Sequence, residues 1–225
     1  VARQIDESGA QVITSHADVS KATDCKRIVD ETASTFGGVD ILFSNAGIQP
    51  PESYTNVEDT SEMMWNRILD TNLKSRFLMA KYAIPEMRKR GGGVIISTAS
   101  VQGLQSMPEV PAYAASKGGD ISLTRQMALD YAHENIRVLT ICPGGVDTPL
   151  WRASVRGGES SVQAALQESG RTHPIGHVGK PEEVANVVVF LASDKASFMT
   201  GEYVSVDGGL MAKGAWATHA KTLQN

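Results

Sequence analysis

Short apolar segments alternate along the chain with longer segments in which apolar residues recur every three or four positions. The short segments are rich in β-branched residues and are bounded by Gly, Pro, Asn or Asp, a pattern typical of buried strands. The pattern predicts strands at residues 11–17, 39–44, 93–98, 136–142 and 202–206.

The longer segments predict amphipathic helices between those strands, because their apolar positions recur with the period of a helix face. Ser20 is the expected N-cap of the first helix, and Pro181 with two acidic residues behind it begins the last. The predicted helices are residues 20–36, 60–90, 112–133 and the segment that begins at Pro181. The apolar face of the last helix consists of Val184, Val187, Val188 and Leu191.

Regular alternation of strand and helix predicts an α/β fold: a Rossmann-type, doubly wound parallel sheet with helices on both faces. We expect right-handed crossovers between the parallel strands. We also expect a single domain of three α/β/α layers that extends over residues 1–225. In such sheets ligands bind beyond the carboxyl ends of the strands. Candidate functional residues are therefore expected directly after each strand.

Composition and charge exclude several classes of protein. With 41% hydrophobic residues and a formal net charge of −4, the chain is neither typical of disorder nor of a dedicated nucleic-acid binder. Cys25 and Cys142 are too few and too far apart for a disulfide framework, which indicates a reducing compartment, and we expect the cytoplasm. No apolar run reaches the ~18 residues of a membrane span, so no membrane is expected as a partner.

Small or polar residues follow four of the predicted strands. One such group is typical of an ordinary turn, but four at the same sheet edge indicate a ligand site. They are Asp18 and Val19, then Asn45, Ala46 and Gly47, then Ser100, and finally Pro143 and Gly144.

Tyr113 and Lys117 lie four residues apart, on one face of a predicted helix. A free phenol has a pKa of roughly 10 and is a poor base near neutral pH, whereas a neighbouring positive charge favours the phenolate. Tyr113 is thus a candidate proton donor and acceptor for an alcohol or ketone. Ser100, at the end of a strand, is placed to bind the same oxygen.

These motifs resemble, in order and spacing, the classical short-chain dehydrogenase/reductase family, and the resemblance extends from residue 1 to about residue 210. It includes the Thr200-Gly201 turn and the ending at residues 206–209. The residues that carry it most specifically are Asn45, Ala46, Gly47, Asn72, Ser100, Tyr113, Lys117, Pro143 and Gly144.

The resemblance implies an oxidoreductase that interconverts a secondary alcohol and a ketone with NAD or NADP. Tyr113 is then the general acid/base and Ser100 positions the substrate oxygen. Lys117 binds the nicotinamide ribose and tunes Tyr113, and Asn72 holds a water molecule that links Lys117 to solvent. Gln102, two residues after Ser100, is a further candidate substrate contact.

The resemblance also implies where the cofactor binds and what covers the substrate. Asp18 and Val19 meet the adenine ring, and residues 45–47 line the adenosine side. The nicotinamide half meets Pro143, Gly144, Val146 and Thr148. Residues 146–178 are the expected substrate lid, and a small-molecule substrate and a homotetramer or homodimer are the expected partners.

The family's glycine-rich phosphate turn is not found in the sequence. Gly91-Gly92-Gly93 follows a helix and precedes a strand, the wrong order for a phosphate loop. Residues 11–17 and 39–44 match strands 3 and 4 of a 3-2-1-4-5-6 sheet, so we expect an upstream segment of ~40–50 residues with strands 1 and 2. The residue that selects NAD or NADP lies there, and the choice stays open.

Other functions remain compatible with the same residues. Related proteins use this scaffold as epimerases or dehydratases with a bound nicotinamide, and a non-catalytic Rossmann binding or regulatory subunit is a third alternative. His173 and His177 have a spacing that suits a metal on a helix, but Pro174 lies between them and no third ligand is apparent, so no metal is predicted. Residues 214–225, with Trp216, are a candidate contact between subunits.

Overall fold

Four parallel strands form the central sheet of the computed structural model, which describes residues 2–155 and 158–213. The sheet order follows the chain order, β1-β2-β3-β4, and every neighbouring pair is parallel. The predicted parallel α/β sheet is therefore confirmed. The strands are β1 (Ile41–Ser44), β2 (Gly93–Thr98), β3 (Ile136–Pro143) and β4 (Tyr203–Val206).

Helices connect the strands and lie on both faces of the sheet. None of the helices in the described part of the chain is long and apolar enough to cross a membrane. The helices are α1 (Ala2–Glu7), α2 (Ala22–Phe36), α3 (Glu62–Leu69), α4 (Ser75–Arg90), α5 (Pro111–Tyr131), α6 (Pro149–Ser154), α7 (Glu159–Thr172) and α8 (Pro181–Ala192).

Two apolar cores separate the layers. On one face α2, α4 and α5 pack on the sheet through buried residues such as Val29, Met87 and Met127. On the other face α8 packs on β2 and β3, with Leu191 fully buried and the three valines of its predicted apolar face half-buried. The three-layer arrangement and the orientation of α8 agree with the pattern of apolar positions in the sequence.

The predicted strand at residues 11–17 is wrong. This segment has no ladder partner, and Arg27 of α2 holds it instead through hydrogen bonds to the Ser15 hydroxyl (2.6 Å) and the His16 carbonyl (2.7 Å). A β-branched sequence becomes a strand only where a neighbour accepts its backbone hydrogen bonds. Among the described residues β1 is an edge strand of the sheet, and residues 11–17 do not pair with it.

Ser20 is not the N-cap of α2, which begins one residue after Lys21. The Asp18 carboxylate accepts hydrogen bonds from both the Ser20 backbone N–H (3.0 Å) and the Ser20 hydroxyl (2.7 Å). An Asx turn thus uses the hydroxyl that a helix cap would need, which is a common competition for Ser near Asp.

The predicted helix over residues 60–90 is interrupted. Between α3 and α4 the chain takes five residues of π-helix, Asp70–Lys74. A π turn adds one residue to the hydrogen-bonded loop and is frequent at functional sites. Here it directs Asn72 into the protein, where the side chain is fully buried.

Leu191→Ala should lower the free energy of unfolding by about 2–5 kcal/mol, because a fully buried leucine between α8 and the sheet leaves a cavity. Met63→Ala is the matched control, since that methionine on α3 is 77% exposed and its loss should cost less than about 0.5 kcal/mol. Denaturant unfolding measures both values. Equal losses in the two variants would contradict the packing described for α8.

Candidate active site

The carboxyl ends of β1 and β2 bring the first predicted site residues together. Ser44 and Ser97 are paired in the ladder, so the turns that follow the two strands are neighbours. The Thr98 hydroxyl donates a hydrogen bond to the Asn45 side-chain oxygen at 2.9 Å. The turn at residues 45–47 is thereby tied to the end of β2, just before Ser100.

Lys117 reaches this edge from α5. Its ammonium Nζ donates a 2.6 Å hydrogen bond to the Thr98 carbonyl and lies 5.4 Å from the centre of the Tyr113 ring. The side chain is nearly inaccessible, and this burial lowers the pKa of Lys117 to about 8. The nearby Arg76 guanidinium lowers that pKa further, and Asp120 opposes both effects.

Tyr113 lies one helical turn before Lys117, with its phenol beside Ser100. Burial raises the pKa of Tyr113 to about 12, and a hydrogen bond from the Ser100 hydroxyl opposes the rise. Tyr54, from the loop after β1, raises the Tyr113 pKa further, and Arg76 lowers it. A neutral phenol with a buried cation nearby suits proton donation, and added positive charge would favour the phenolate.

Asn72 holds the loop that follows β1. Its side-chain oxygen accepts from the Ile48 N–H (2.8 Å) and its Nδ2 donates to the Ile48 carbonyl (2.9 Å). A Cβ at Gly47 would lie 3.5 Å from the Asn72 oxygen and 3.8 Å from Lys117 Nζ. Gly47 therefore lies beside Asn72 and Lys117, and the Lys117 ammonium, a hydrogen-bond donor, suits the hydroxyl groups of a nicotinamide ribose.

A backbone-to-backbone contact sets the distance between Ser100 and α5. Ser100 begins the 3₁₀ turn Val101–Gly103 and accepts a hydrogen bond from the Gln102 N–H at 3.1 Å. A Cβ added at Gly103 would lie 2.7 Å from the Lys117 carbonyl, closer than real Cβ contacts. The turn that begins at Ser100 lies this close to α5 only because residue 103 is glycine.

The turn after β3 is supported by the predicted lid. The Gly144 N–H donates to the Val206 carbonyl at 3.1 Å, and a Cβ at Gly144 would lie 2.9 Å from the His173 ring. His173 Nε2 accepts from the Gly145 N–H at 3.0 Å, while its Nδ1 lies 2.8 Å from the Ser169 carbonyl. Both ring nitrogens thus bind backbone groups, and His173 joins α7 to this turn.

The predicted lid, residues 146–178, contains α6 and α7. Residues 156 and 157 of this segment lie outside the described residues, as does the tail from residue 214 with Trp216. Val146 forms an isolated parallel bridge with Gly179, and the Thr148 hydroxyl caps α6 by accepting from the Trp151 N–H at 3.2 Å. Arg152 makes a two-bond ion pair with Asp147 at 2.6 and 2.9 Å.

The remaining predicted contacts have local partners. Val19 accepts from the Cys25 thiol at 3.2 Å and, with Asp18, belongs to the turn before α2. The Gln102 side-chain oxygen accepts from the Met107 N–H at 2.9 Å, within its own loop. These hydrogen bonds remain inside their own segments, unlike those of Asn72 and Lys117, which link separate elements.

Two buried charged residues beside the site were not predicted. Arg76 and Asp120 face each other between α4 and α5, close enough to alter the pKa of Lys117. The sequence spacing could have indicated both residues, because Arg76 lies four residues after Asn72 and Asp120 lies three residues after Lys117. On a helix, those spacings place each beside a candidate catalytic residue.

Fold and site together define an oxidoreductase that acts on CH–OH groups, and comparison with known proteins agrees. The protein-family model described as "Enoyl-(Acyl carrier protein) reductase" matches residues 1–211. An "Uncharacterized oxidoreductase" of Thermotoga maritima is 38% identical over 208 residues, 92% of this chain and 80% of that protein.

Two further relatives have more specific names. The "Cyclohexanol dehydrogenase" of an Acinetobacter species is 37% identical over 213 residues, 95% of this chain and 80% of its own length. Among solved structures, the ligand-free aldohexose dehydrogenase of Thermoplasma acidophilum has a TM-score of 0.88 at 33% identity, with 95% of this chain and 89% of that chain covered.

The chain belongs to the short-chain dehydrogenase/reductase family, classical type. The predicted Rossmann-type fold and oxidoreductase class are confirmed. Dehydrogenases of this family use NAD or NADP.

Gly103→Ala should reduce kcat/KM by roughly tenfold to a hundredfold, because the new methyl group separates the Ser100 turn from α5 and misplaces the serine hydroxyl. Gly118→Ala is the matched control on the opposite side of the same contact. Its Cβ would lie 3.6 Å from the Gly103 carbonyl, an ordinary contact, so activity should be retained. Initial-rate kinetics on both variants test the contact, and equal activities would contradict it.

Proposed function

We propose that the protein interconverts a secondary alcohol and a ketone with NAD or NADP, using Tyr113 as the general acid/base. The observation that carries this proposal is the cluster of buried Ser100, half-buried Tyr113 and buried Lys117 at the carboxyl edge of the sheet. The relative named cyclohexanol dehydrogenase supports a small cyclic or secondary alcohol as the substrate class.

Each residue of the cluster has one task. Ser100 donates its hydroxyl hydrogen bond to the substrate oxygen and holds it against the phenol. In the oxidative direction Tyr113, as the phenolate, takes the hydroxyl proton, and in the reductive direction it returns a proton to the carbonyl oxygen. Lys117 supplies the positive charge that favours the phenolate, from a position fixed by the Thr98 carbonyl.

The bound nicotinamide dinucleotide supplies the hydride acceptor or donor. Lys117 would hold its nicotinamide ribose, and Asn72 would hold a water molecule that links Lys117 to solvent. Asp18, Val19, Asn45, Ala46 and Gly47 remain the proposed adenosine-side contacts, and Pro143, Gly144, Val146 and Thr148 the proposed nicotinamide-side contacts. Gln102 remains a proposed substrate contact. Residues 146–178 are proposed to cover the substrate as part of the same domain, which extends over the whole chain.

We further propose a homotetramer or homodimer that works in the cytoplasm. Large apolar side chains remain exposed on the outer faces of α4 and α5, among them Phe77 and Leu129, and Phe198 is exposed before β4. Exposed apolar groups of this size are typical of surfaces that bind another chain. Light scattering in solution gives the mass that decides between the two assemblies.

Tyr113→Phe should abolish turnover and leave dinucleotide binding unchanged, because it removes the phenolic proton and retains the ring. Tyr131→Phe, on the same helix but in the apolar core, is the matched control and should retain activity. The absorbance of the reduced nicotinamide, followed with simple alcohols and ketones, measures turnover. Activity like the wild type in Tyr113→Phe would overturn the mechanism, and substrate conversion without net nicotinamide change would indicate an epimerase or dehydratase.

Lys117→Met should move the acidic limb of the alcohol-oxidation profile to higher pH by about one unit or more. The phenolate of Tyr113 is the active form, and loss of the ammonium raises the pKa that governs its formation. Lys117→Arg, which retains the charge, should shift the limb less. An unchanged profile in Lys117→Met would contradict the tuning role.

A further inference from the structure

A buried ion pair lies behind the catalytic helix. Arg76 of α4 is 3% exposed and Asp120 of α5 is fully buried, and their Nε and Oδ2 atoms are 3.7 Å apart. Neither of these two atoms has a closer hydrogen-bond partner. The pair is thus held face to face without forming a tight hydrogen bond.

The other atoms of the pair bind parts of the site. Arg76 Nη2 donates to the Ala46 carbonyl at 2.8 Å, in the turn that follows β1. The Asp120 Oδ1 atom accepts from the Ser97 hydroxyl at 2.8 Å, and that hydroxyl lies 2.8 Å from the Thr140 hydroxyl of β3. Through these contacts the pair joins α4 and α5 to the turn after β1 and to the two central strands.

Stability alone gives little reason for such a pair. Removing two charges from water costs several kcal/mol per ion, and apolar residues of similar volume often replace a buried pair with no loss of stability. A long pair with two unsatisfied atoms recovers less of that cost than a close one. Its location, between the cofactor-side turn and the catalytic helix, points to a role in the reaction.

We propose that Arg76 and Asp120 are positioning residues that fix the Ala46 turn against α5 and balance the charge around Lys117 and Tyr113. This inference rests on the proposed function of the site. Neither residue is placed to touch the reacting atoms, so both act through their neighbours.

The charged and titratable groups around the site define the sign of each effect. Arg76 lowers the pKa of Lys117, while Asp120 and the buried Cys142 thiol of β3 raise it. Around Tyr113, Arg76 lowers the phenol pKa and Tyr54 raises it. Removing the arginine charge should therefore raise the pKa of Lys117, and removing the aspartate charge should lower it.

The test compares three variants by carbon-13 NMR titration of the lysine side chains, with Lys117→Met identifying the Lys117 signal. In Arg76→Gln the Lys117 titration should move to higher pH by about one unit, and in Asp120→Asn to lower pH by a similar amount. The double variant R76Q/D120N should return close to the wild type. Arg90→Gln, which removes one member of an exposed pair with Asp40, is the control and should cause no shift.

Turnover adds a second readout. The pH profile of kcat/KM should move in the same direction as the Lys117 titration in each variant. Arg76→Gln should also raise KM for the dinucleotide more than Asp120→Asn does, since only Arg76 holds the Ala46 turn. The titration needs no substrate, so it tests the pair even if the proposed reaction is wrong.

Opposite shifts that cancel in the double variant support the proposal. Shifts of the same sign in both single variants, or none beyond the control, would overturn it. Removing one member leaves a buried charge, and Arg76→Gln is the variant with the greater risk of not folding. In that case Asp120→Asn and the double variant decide, because the downward shift must appear in the first and vanish in the second.

Discussion

The buried ammonium of Lys117 is the constraint on which the site depends. A cation removed from water must find hydrogen-bond acceptors and opposite charge, or its free energy rises steeply. Lys117 finds an acceptor in the Thr98 carbonyl at the end of β2 and an opposing charge in Asp120, one turn further along α5. Both contacts require the face of α5 that carries Lys117 to lie over the sheet edge. Tyr113, on the same face, then lies at the end of β2.

Helix side chains hold the loops of this site. Asn72 binds both backbone groups of Ile48, and Arg76 binds the carbonyl of Ala46, so two residues near the π segment fix the chain after β1. At the other side His173 uses both ring nitrogens to connect α7 with the turn after β3. The strands set where the loops begin, and these side chains fix where the loops lie.

Elements with a strong period were predictable, and those that need a particular neighbour were not. Strands β1 to β4 and helices α2, α5 and α8 follow the apolar pattern within a few residues. The segment 11–17 has strand-like residues but no ladder partner. The π segment Asp70–Lys74 has a period so close to that of an α-helix that the apolar pattern does not distinguish the two. Ser20 failed as a cap because Asp18 binds it first.

The periodicity of the chain was enough to predict which groups meet at the sheet edge, because strand ends in a parallel sheet are neighbours and residues four apart on a helix share a face. That reasoning was enough for Ser100, Tyr113 and Lys117. Their support depends on two contacts that are visible only in the folded protein. These are the close approach of Gly103 to α5 and the pairing of Arg76 with Asp120. Both join residues far apart in the chain, and local periodicity carries no information about which distant partner will meet a buried charge or fill the space beside a glycine.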